Sequence, residues 1–296
     1  MRQEPEEIIC EPKAYLNELM MDDNSGQPSA KEVFDTTPYT ILVVDDNPDM
    51  TDFLKRTFEG YFKRIIIAGD GVEALQLVRS HVPDIIVSDV MMPRMNGYKL
   101  CKTIKEDINI SHIPVILLTA RDDRQSQISG YKNGADGYLS KPFEVEMLME
   151  LIRNRLKNRE YTKKRYLNAG LIPTPEESTI SLTDETFLIK LNSIIQENIE
   201  NSNLGIQFIC QEVGLGRSSL YNKLKALTGM GANEYISKLR IEKAITLISG
   251  TDMPFSEIAE KTGFTTPSYF STAFKQYTGE TPSQYKERKK KGLAGK

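Results

Sequence analysis

Thr40-Ile41-Leu42-Val43-Val44-Asp45-Asp46-Asn47-Pro48 is the stretch that decides the fold class. Ile41 to Val44 run without a polar residue, so a strand here is buried on both faces, as in a parallel sheet rather than a one-sided antiparallel one. The run stops at two aspartates. Asn47-Pro48 then supplies an N-cap residue followed by a proline suited to a first helical turn. The same grammar recurs downstream. Apolar runs at Ile65 to Ala68, Ile85 to Val87, Val115 to Leu118 and, weakly, Gly137 to Leu139 alternate with helix-period segments near 49–59, 71–80, 97–106, 124–132 and 143–158. This alternation predicts an α/β domain, a five-stranded parallel doubly wound sheet with five helices joined by right-handed crossovers.

Ligands of open parallel sheets bind beyond the carboxyl ends of the strands. Asp45 and Asp46 follow the first strand, Asp89 the third, Thr119 the fourth and Lys141 the fifth, so all five should meet on one edge. Three carboxylates there repel one another unless a cation sits between them, and an oxygen set of this kind suits Mg²⁺. One carboxylate could then act as a nucleophile toward a phosphoryl group, with Lys141 and Thr119 binding its oxygens. Taken singly, each residue has an ordinary explanation: a capped turn, a loop aspartate, a surface lysine. Their joint placement is what carries chemistry.

Val43-Val44-Asp45-Asp46-Asn47, Ser88-Asp89-Val90-Met91-Met92-Pro93, Leu118-Thr119-Ala120 and Ser140-Lys141-Pro142-Phe143 resemble the receiver domain of two-component response regulators, a flavodoxin-like fold. The intervals agree with that family: 89 minus 45 is 44, 119 minus 89 is 30, and 141 minus 119 is 22. The resemblance implies that Asp89 is the phosphoacceptor, with Asp46, Asp89 and the Met91 carbonyl as Mg²⁺ ligands and Asp45 acting on the metal directly or through water. It also implies that Thr119 and Tyr138 form a switch pair, that Lys141 binds phosphate, and that the Lys141-Pro142 bond is cis. His81 and His112 lie in loops without a neighbouring kinase motif, so the phosphoryl group should come from a histidine kinase, on a separate protein or elsewhere in the same chain.

From about residue 186 the periodicity is helical only. Here Lys and Arg outnumber Asp and Glu by 15 to 10, whereas 1–37 hold 3 against 9, 38–160 hold 17 against 18, and 161–185 hold 3 against 4; the net charge of -3 thus hides a basic end suited to a polyanion. An internal repeat runs through it. A shift of 50 superposes Ser218, Leu220, Leu224, Lys225, Thr228 and Gly229 on Ser268, Phe270, Phe274, Lys275, Thr278 and Gly279, and a shift of 49 aligns Ile209 and Gly214 with Ile258 and Gly263. Two copies of helix, glycine turn, helix follow, the second with one extra residue in its turn. Each second helix carries an apolar stripe and a polar one: Ser218, Tyr221, Asn222 and Lys225 in the first copy, Ser268, Ser271, Thr272 and Lys275 in the second. Polar stripes are ordinarily just solvated, but two of them behind glycine turns in a basic domain fit recognition helices in major grooves.

Leu220-Tyr221-Asn222-Lys223-Leu224-Lys225, Gly263-Phe264, Tyr269-Phe270-Ser271 and Gly279-Glu280-Thr281-Pro282-Ser283-Gln284-Tyr285 resemble the AraC/XylS-type DNA-binding domain over about 187–288. The resemblance implies base reading by Ser218, Tyr221 and Asn222 and by Pro267, Ser268 and Thr272. Arg217, Lys225 and Lys275 are further expected DNA contacts, and Lys223 and the Lys286 to Lys291 run are expected on phosphates. An arginine is frequent in that family where Asn222 and Thr272 stand, so the strongest guanine-reading contact is missing from both helices.

The expected organisation is an acidic tail or linker at 1–37, a receiver at 38–160, a linker at 161–185, the helical domain with two helix-turn-helix motifs at 186–290 and a basic tail at 291–296. Three scattered cysteines and two histidines exclude a disulfide framework and a zinc cluster. No apolar run approaches the roughly 18 residues of a membrane helix, and the start is acidic where a signal peptide is basic, so a cytoplasmic location is expected. There is no GxxxxGK[ST] motif, and Gly214-Leu215-Gly216 lies in a helix turn. The function expected is a phosphorylation-controlled transcription regulator rather than an enzyme, with promoter DNA, a second copy when phosphorylated and RNA polymerase as partners. A Mg²⁺-dependent aspartyl-phosphate phosphohydrolase and a phosphate-sink adaptor without DNA binding are the alternatives. The domain order also resembles the C-terminal portion of hybrid two-component regulators, and a standalone regulator is equally compatible.

Overall fold

The computed structural model describes residues 34–120, 134–169 and 181–293. Its described residues from Asp35 onward form one compact unit. The first half contains β1 (Thr40–Val44), α1 (Pro48–Phe58), β2 (Arg64–Ala68), α2 (Gly71–His81), β3 (Ile85–Asp89), α3 (Gly97–Glu106), β4 (Val115–Ala120), β5 (Gly137–Lys141) and α4 (Val145–Ala169). The expected helix at 124–132 lies outside the described residues, as does most of the expected tail at 1–37.

All strand pairings are parallel and the sheet order is β2-β1-β3-β4-β5. The chain therefore winds one way from β1 to β2 and the other way from β3 onward, which opens the switch-point crevice between the carboxyl ends of β1 and β3. β1 and β3 are buried along nearly their whole length, as their uninterrupted apolar runs require. β2 and β5 lie at the edges. Ile65 and Ile67 of β2 are only half-buried, and β5 alternates buried and half-buried residues, which is why its apolar signal is weak. The N-caps act as their residue types dictate: Asn47, Asp70 and Asn96 accept backbone N–H groups in the first turns of α1, α2 and α3.

α4 departs from expectation. It runs nine residues beyond 160, through the first part of the expected 161–185 linker. The cause is local: no glycine or proline interrupts 145–169, and the first glycine is Gly170. The second half begins at α5 (Leu182–Glu197), capped by Ser181, and continues with α6 (Ile206–Val213), α7 (Arg217–Thr228), α8 (Ala232–Gly250), α9 (Phe255–Lys261), α10 (Pro267–Thr278) and α11 (Pro282–Leu293). Helix thus also enters the expected tail at 291–296. No helix among the described residues is long and apolar enough to cross a membrane.

The repeat is visible in the backbone. Gly214 and Gly263 close the first helices of the two copies at φ 74° and 71°, and Gly229 and Gly279 close the second helices at 74° and 82°. These left-handed conformations are cheap only for glycine. Gly263 is doubly constrained, since a Cβ there would stand 2.2 Å from the Ile199 carbonyl oxygen. α8 ties the copies together: Tyr235, Ile236 and Leu239 enter the core of α5, α6 and α7, while Ile241, Ala244 and Ile248 enter that of α9, α10 and α11.

Candidate functional site

The carboxyl edge of the sheet gathers the acidic residues as the strand register directs. Asp45 follows β1, Asp89 ends β3 opposite Leu118, and Lys141 ends β5 opposite Ala120. The Lys141 ammonium lies between two carboxylates, 2.8 Å from Asp45 Oδ2 and 2.6 Å from Asp89 Oδ1. The backbone holds both acids in place: Asp45 Oδ1 accepts from Asn47 N and Asp89 Oδ2 from Met91 N, each at 2.9 Å. Asp45 and Asp89 are buried, and Asp46 is exposed beside them. Burial, reinforced by the Asp45 charge, raises the Asp89 carboxyl above the usual range against the opposing pull of Lys141. Burial would lower the Lys141 ammonium, but the hydrogen bonds it donates to Asp45 and Asp89 outweigh it and the net shift is upward.

Thr119, fully buried on β4, carries a hydroxyl with no hydrogen-bond partner among the described residues. A buried hydroxyl at a polar edge is suited to an incoming oxygen. Tyr138 is half-buried against the sheet core, and the Lys141-Pro142 bond is cis. Gly97 presses on the site from α3: a Cβ there would come within 2.2 Å of the Asp89 carbonyl oxygen.

Among the described residues, no group of three or more His, Cys, Asp or Glu side chains closes into a metal-ligand cluster, because Lys141 bridges Asp45 and Asp89 while Asp46 faces outward. The donor chemistry nevertheless fits Mg²⁺. Three carboxylates against one lysine leave an excess of two negative charges on hard oxygen donors.

At the other end of the chain, Arg217, Ser218, Tyr221, Asn222 and Lys225 of α7 are all exposed, as are Pro267, Ser268, Thr272 and Lys275 of α10. Each group forms one continuous stripe. Tyr269, for which the sequence gives no expected DNA contact, is 55% exposed beside the second stripe. In the expected lysine run, Lys286 pairs with Asp252 and Arg288 with Glu280, leaving Lys289 and Lys290 exposed.

Residues 41–153 match the response regulator receiver domain family and residues 209–288 a helix-turn-helix domain family of the AraC type. The response regulator MprA of a Mycobacterium species is 36% identical over 165 residues, which cover 51% of this chain and 70% of that protein. This chain belongs to the response regulators. The DNA-binding response regulator MtrA of Mycolicibacterium smegmatis is 36% identical over 46% of this chain and 58% of its own length. A protein named histidine kinase P4 from Formosa agariphila is 41% identical over 84% of this chain, which spans only 18% of that protein.

The response regulator joins its halves through α7. α4 packs on α7, and Ile108 of the receiver packs against the core of α5, α6 and α7. At the centre, Lys223 of α7 is 0% exposed and ion-paired to Asp184 of α5. Ser111 of the receiver donates to Asp184 Oδ1 at 2.7 Å and accepts from Lys223 Nζ at 2.8 Å. Thr183 Oγ1 also donates to the Lys105 carbonyl at 2.9 Å. The expectation that Lys223 meets DNA phosphates is therefore wrong: its side chain points into the domain junction. A signal was present, because Lys223 lies three residues after Leu220 and four before Leu227, on the apolar face.

Proposed function

We propose that this response regulator accepts a phosphoryl group on Asp89 from a histidine kinase and converts it into altered binding of promoter DNA by α7 and α10. The observation that carries this is the Asp45-Lys141-Asp89 arrangement at the switch point, with the unpartnered Thr119 hydroxyl on the same edge. An Asp89 oxygen attacks the phosphorus of phosphohistidine, a P–O bond forms as the P–N bond breaks, and the imidazole leaves with the bonding pair. Lys141 and Thr119 receive the phosphoryl oxygens. Asp46, Asp89 and the Met91 carbonyl are the residues to hold Mg²⁺, which when bound offsets the charge of the carboxylates and the incoming group. Thr119 and Tyr138 act as the switch pair. Autodephosphorylation is slow and the chain is a regulator, not an enzyme.

Phosphorylated receivers pair with a second copy through the face that includes β5 and α4; α4 also carries α7, so pairing and domain docking share one helix. The cytoplasm is the compartment that supplies both kinase and DNA. The kinase is either separate or, as the similarity to the Formosa protein supports, part of a longer chain. RNA polymerase is a further proposed partner. Incubation with acetyl phosphate and Mg²⁺ should add one phosphoryl group per chain by intact mass, and Asp89→Asn should add none. Equal labelling of the variant overturns the assignment.

The residues of the α7 stripe should separate by role. Asn222→Ala should cost about 1–3 kcal/mol at one base step, asparagine being suited to adenine, while leaving the salt dependence nearly unchanged. Lys225→Ala should weaken binding to every sequence alike and flatten the salt slope. Affinities across a randomised site library at several salt concentrations distinguish the two; uniform loss in both variants removes base reading from α7.

A further inference from the structure

The two copies of the helix-turn-helix differ in where they carry an exposed aromatic ring. Under the shift of 50 that superposes Ser218 on Ser268, Tyr221 of α7 falls on Ser271 of α10 and Ser219 of α7 falls on Tyr269 of α10. Tyrosine and serine have changed places. Tyr221 and Tyr269 are both more than half exposed, so neither ring is consumed by a core. Two residues of helix are about 3 Å, so the ring of α10 stands closer to the amino end of its helix by about the rise of one base pair.

Tyr269 is the third residue of α10, at the end of a recognition helix whose first residues meet base edges. Its backbone N–H donates to Oγ1 of the N-cap residue Thr266 at 3.2 Å. Its ring meets that of Phe264 edge to face, with centroids 5.8 Å apart. Phe264 is itself buried and packed on Phe270. The Tyr269 ring is thus backed by the core on one side and open on the other, and little rotational freedom is left for it to lose on binding.

The rest of this helix end offers carbon rather than strong hydrogen-bonding groups. Between Gly263 and Phe274 there is no arginine, lysine, asparagine or glutamine, so the side chains that read guanine and adenine through paired hydrogen bonds are absent there. Thr272 Oγ1 donates to the Ser268 carbonyl at 3.1 Å, which uses its hydroxyl proton within the helix. α7 differs, since it carries Arg217 and Asn222 on its exposed stripe. In the major groove the base feature that an apolar side chain recognises is the C5 methyl group of thymine. Resting on the entry of α10 into DNA proposed above, we infer that Tyr269 determines specificity there by packing its ring on a thymine methyl, with Thr272 one turn further along the same side of the helix. The two half-sites then differ in chemistry, hydrogen bonds at α7 and a methyl group at α10.

The test uses the full chain and a site selected from a random library, with every thymine replaced in turn by 2′-deoxyuridine, which removes the C5 methyl and nothing else. At one thymine or more, the replacement should lower wild-type affinity about fourfold, the value of one buried methyl-sized group. Tyr269→Phe should keep that discrimination, because the ring and not the hydroxyl makes the contact. Tyr269→Ala should bind the thymine and deoxyuridine sites equally, with an unchanged far-UV circular dichroism spectrum. Each comparison is made within one variant, so a general loss of affinity from disturbed packing cancels. A selected site without thymine, wild-type affinity indifferent to every replacement, or discrimination at the same positions that survives Tyr269→Ala overturns the inference. Failure of the chain to select any site overturns DNA reading itself and this inference with it, whereas a selected site indifferent to deoxyuridine overturns this inference alone.

Discussion

Asp184→Ala should lower the free energy of unfolding by about 3–5 kcal/mol, the cost typical of removing one partner from a buried ion pair. Asp184 is 2% exposed, pairs with Lys223 and receives hydroxyl hydrogen bonds from Ser111 at 2.7 Å and Ser181 at 2.8 Å. Alanine would leave the Lys223 ammonium, among the described residues, with the Ser111 hydroxyl and the face of Phe187, 5.1 Å from the ring centroid. Burial already pulls the Lys223 ammonium below its usual pKa, against the counter-charge of Asp184. The double variant Asp184→Leu with Lys223→Met removes both charges and should recover most of the loss. Urea unfolding of the wild type, both single variants and the double variant measures the coupling. A single-variant cost under about 1 kcal/mol, typical of solvent-exposed pairs, means that water reaches the pair and that it does not hold the junction.

Phe274→Ala should be comparably severe, about 3–5 kcal/mol. Phe274 is fully buried at the middle of an aromatic ladder, with its ring centroid 5.7 Å from Phe270 and 5.6 Å from Tyr285; Phe270 in turn stands 5.4 Å from Phe264. The ladder fixes α10 against α9 and α11 and thereby aims Pro267, Ser268 and Thr272 outward. The core of α5, α6 and α7 draws on none of these rings. Thermal unfolding should show the loss directly. DNA footprinting should show protection shrinking to the half of the site read by α7, and a full-length footprint would mean that α10 does not need the ladder to be positioned.

What the sequence discloses follows from how local each determinant is. β1 and β3 are readable because strands buried on both faces tolerate no polar residue, and the first-turn caps at Asn47 and Asp70 act within a few residues of themselves. The repeated glycines are readable because both helices of each copy end on a left-handed residue, which only glycine adopts cheaply wherever the helix packs. β5 is faint because an edge strand is buried less completely. The end of α4 is missed because the expected linker at 161–185 is bounded at 161, although no glycine or proline stands there before Gly170 to break a helix. Lys223 is misassigned because its charge suggests DNA; its spacing from Leu220 and Leu227 puts it on the apolar face, but the groups that accept its ammonium there, Asp184 and Ser111, lie 39 and 112 residues away in the chain. Among the acidic residues, sequence order places Asp45, Asp89 and Lys141 on one edge, but that Lys141 bridges two of the carboxylates while Asp46 faces outward depends on side-chain geometry that no spacing encodes.

DNA affinity before and after phosphorylation is the most direct measurement of the central claim. A site selected from a random library should be bound at least several-fold more tightly by the wild-type chain after acetyl phosphate and Mg²⁺ treatment, because two paired receivers raise the effective concentration of the DNA-binding halves. Asp89→Asn should bind with the same affinity before and after. An unchanged affinity in the phosphorylated wild type, or an equal gain in Asp89→Asn, contradicts phosphorylation control through Asp89.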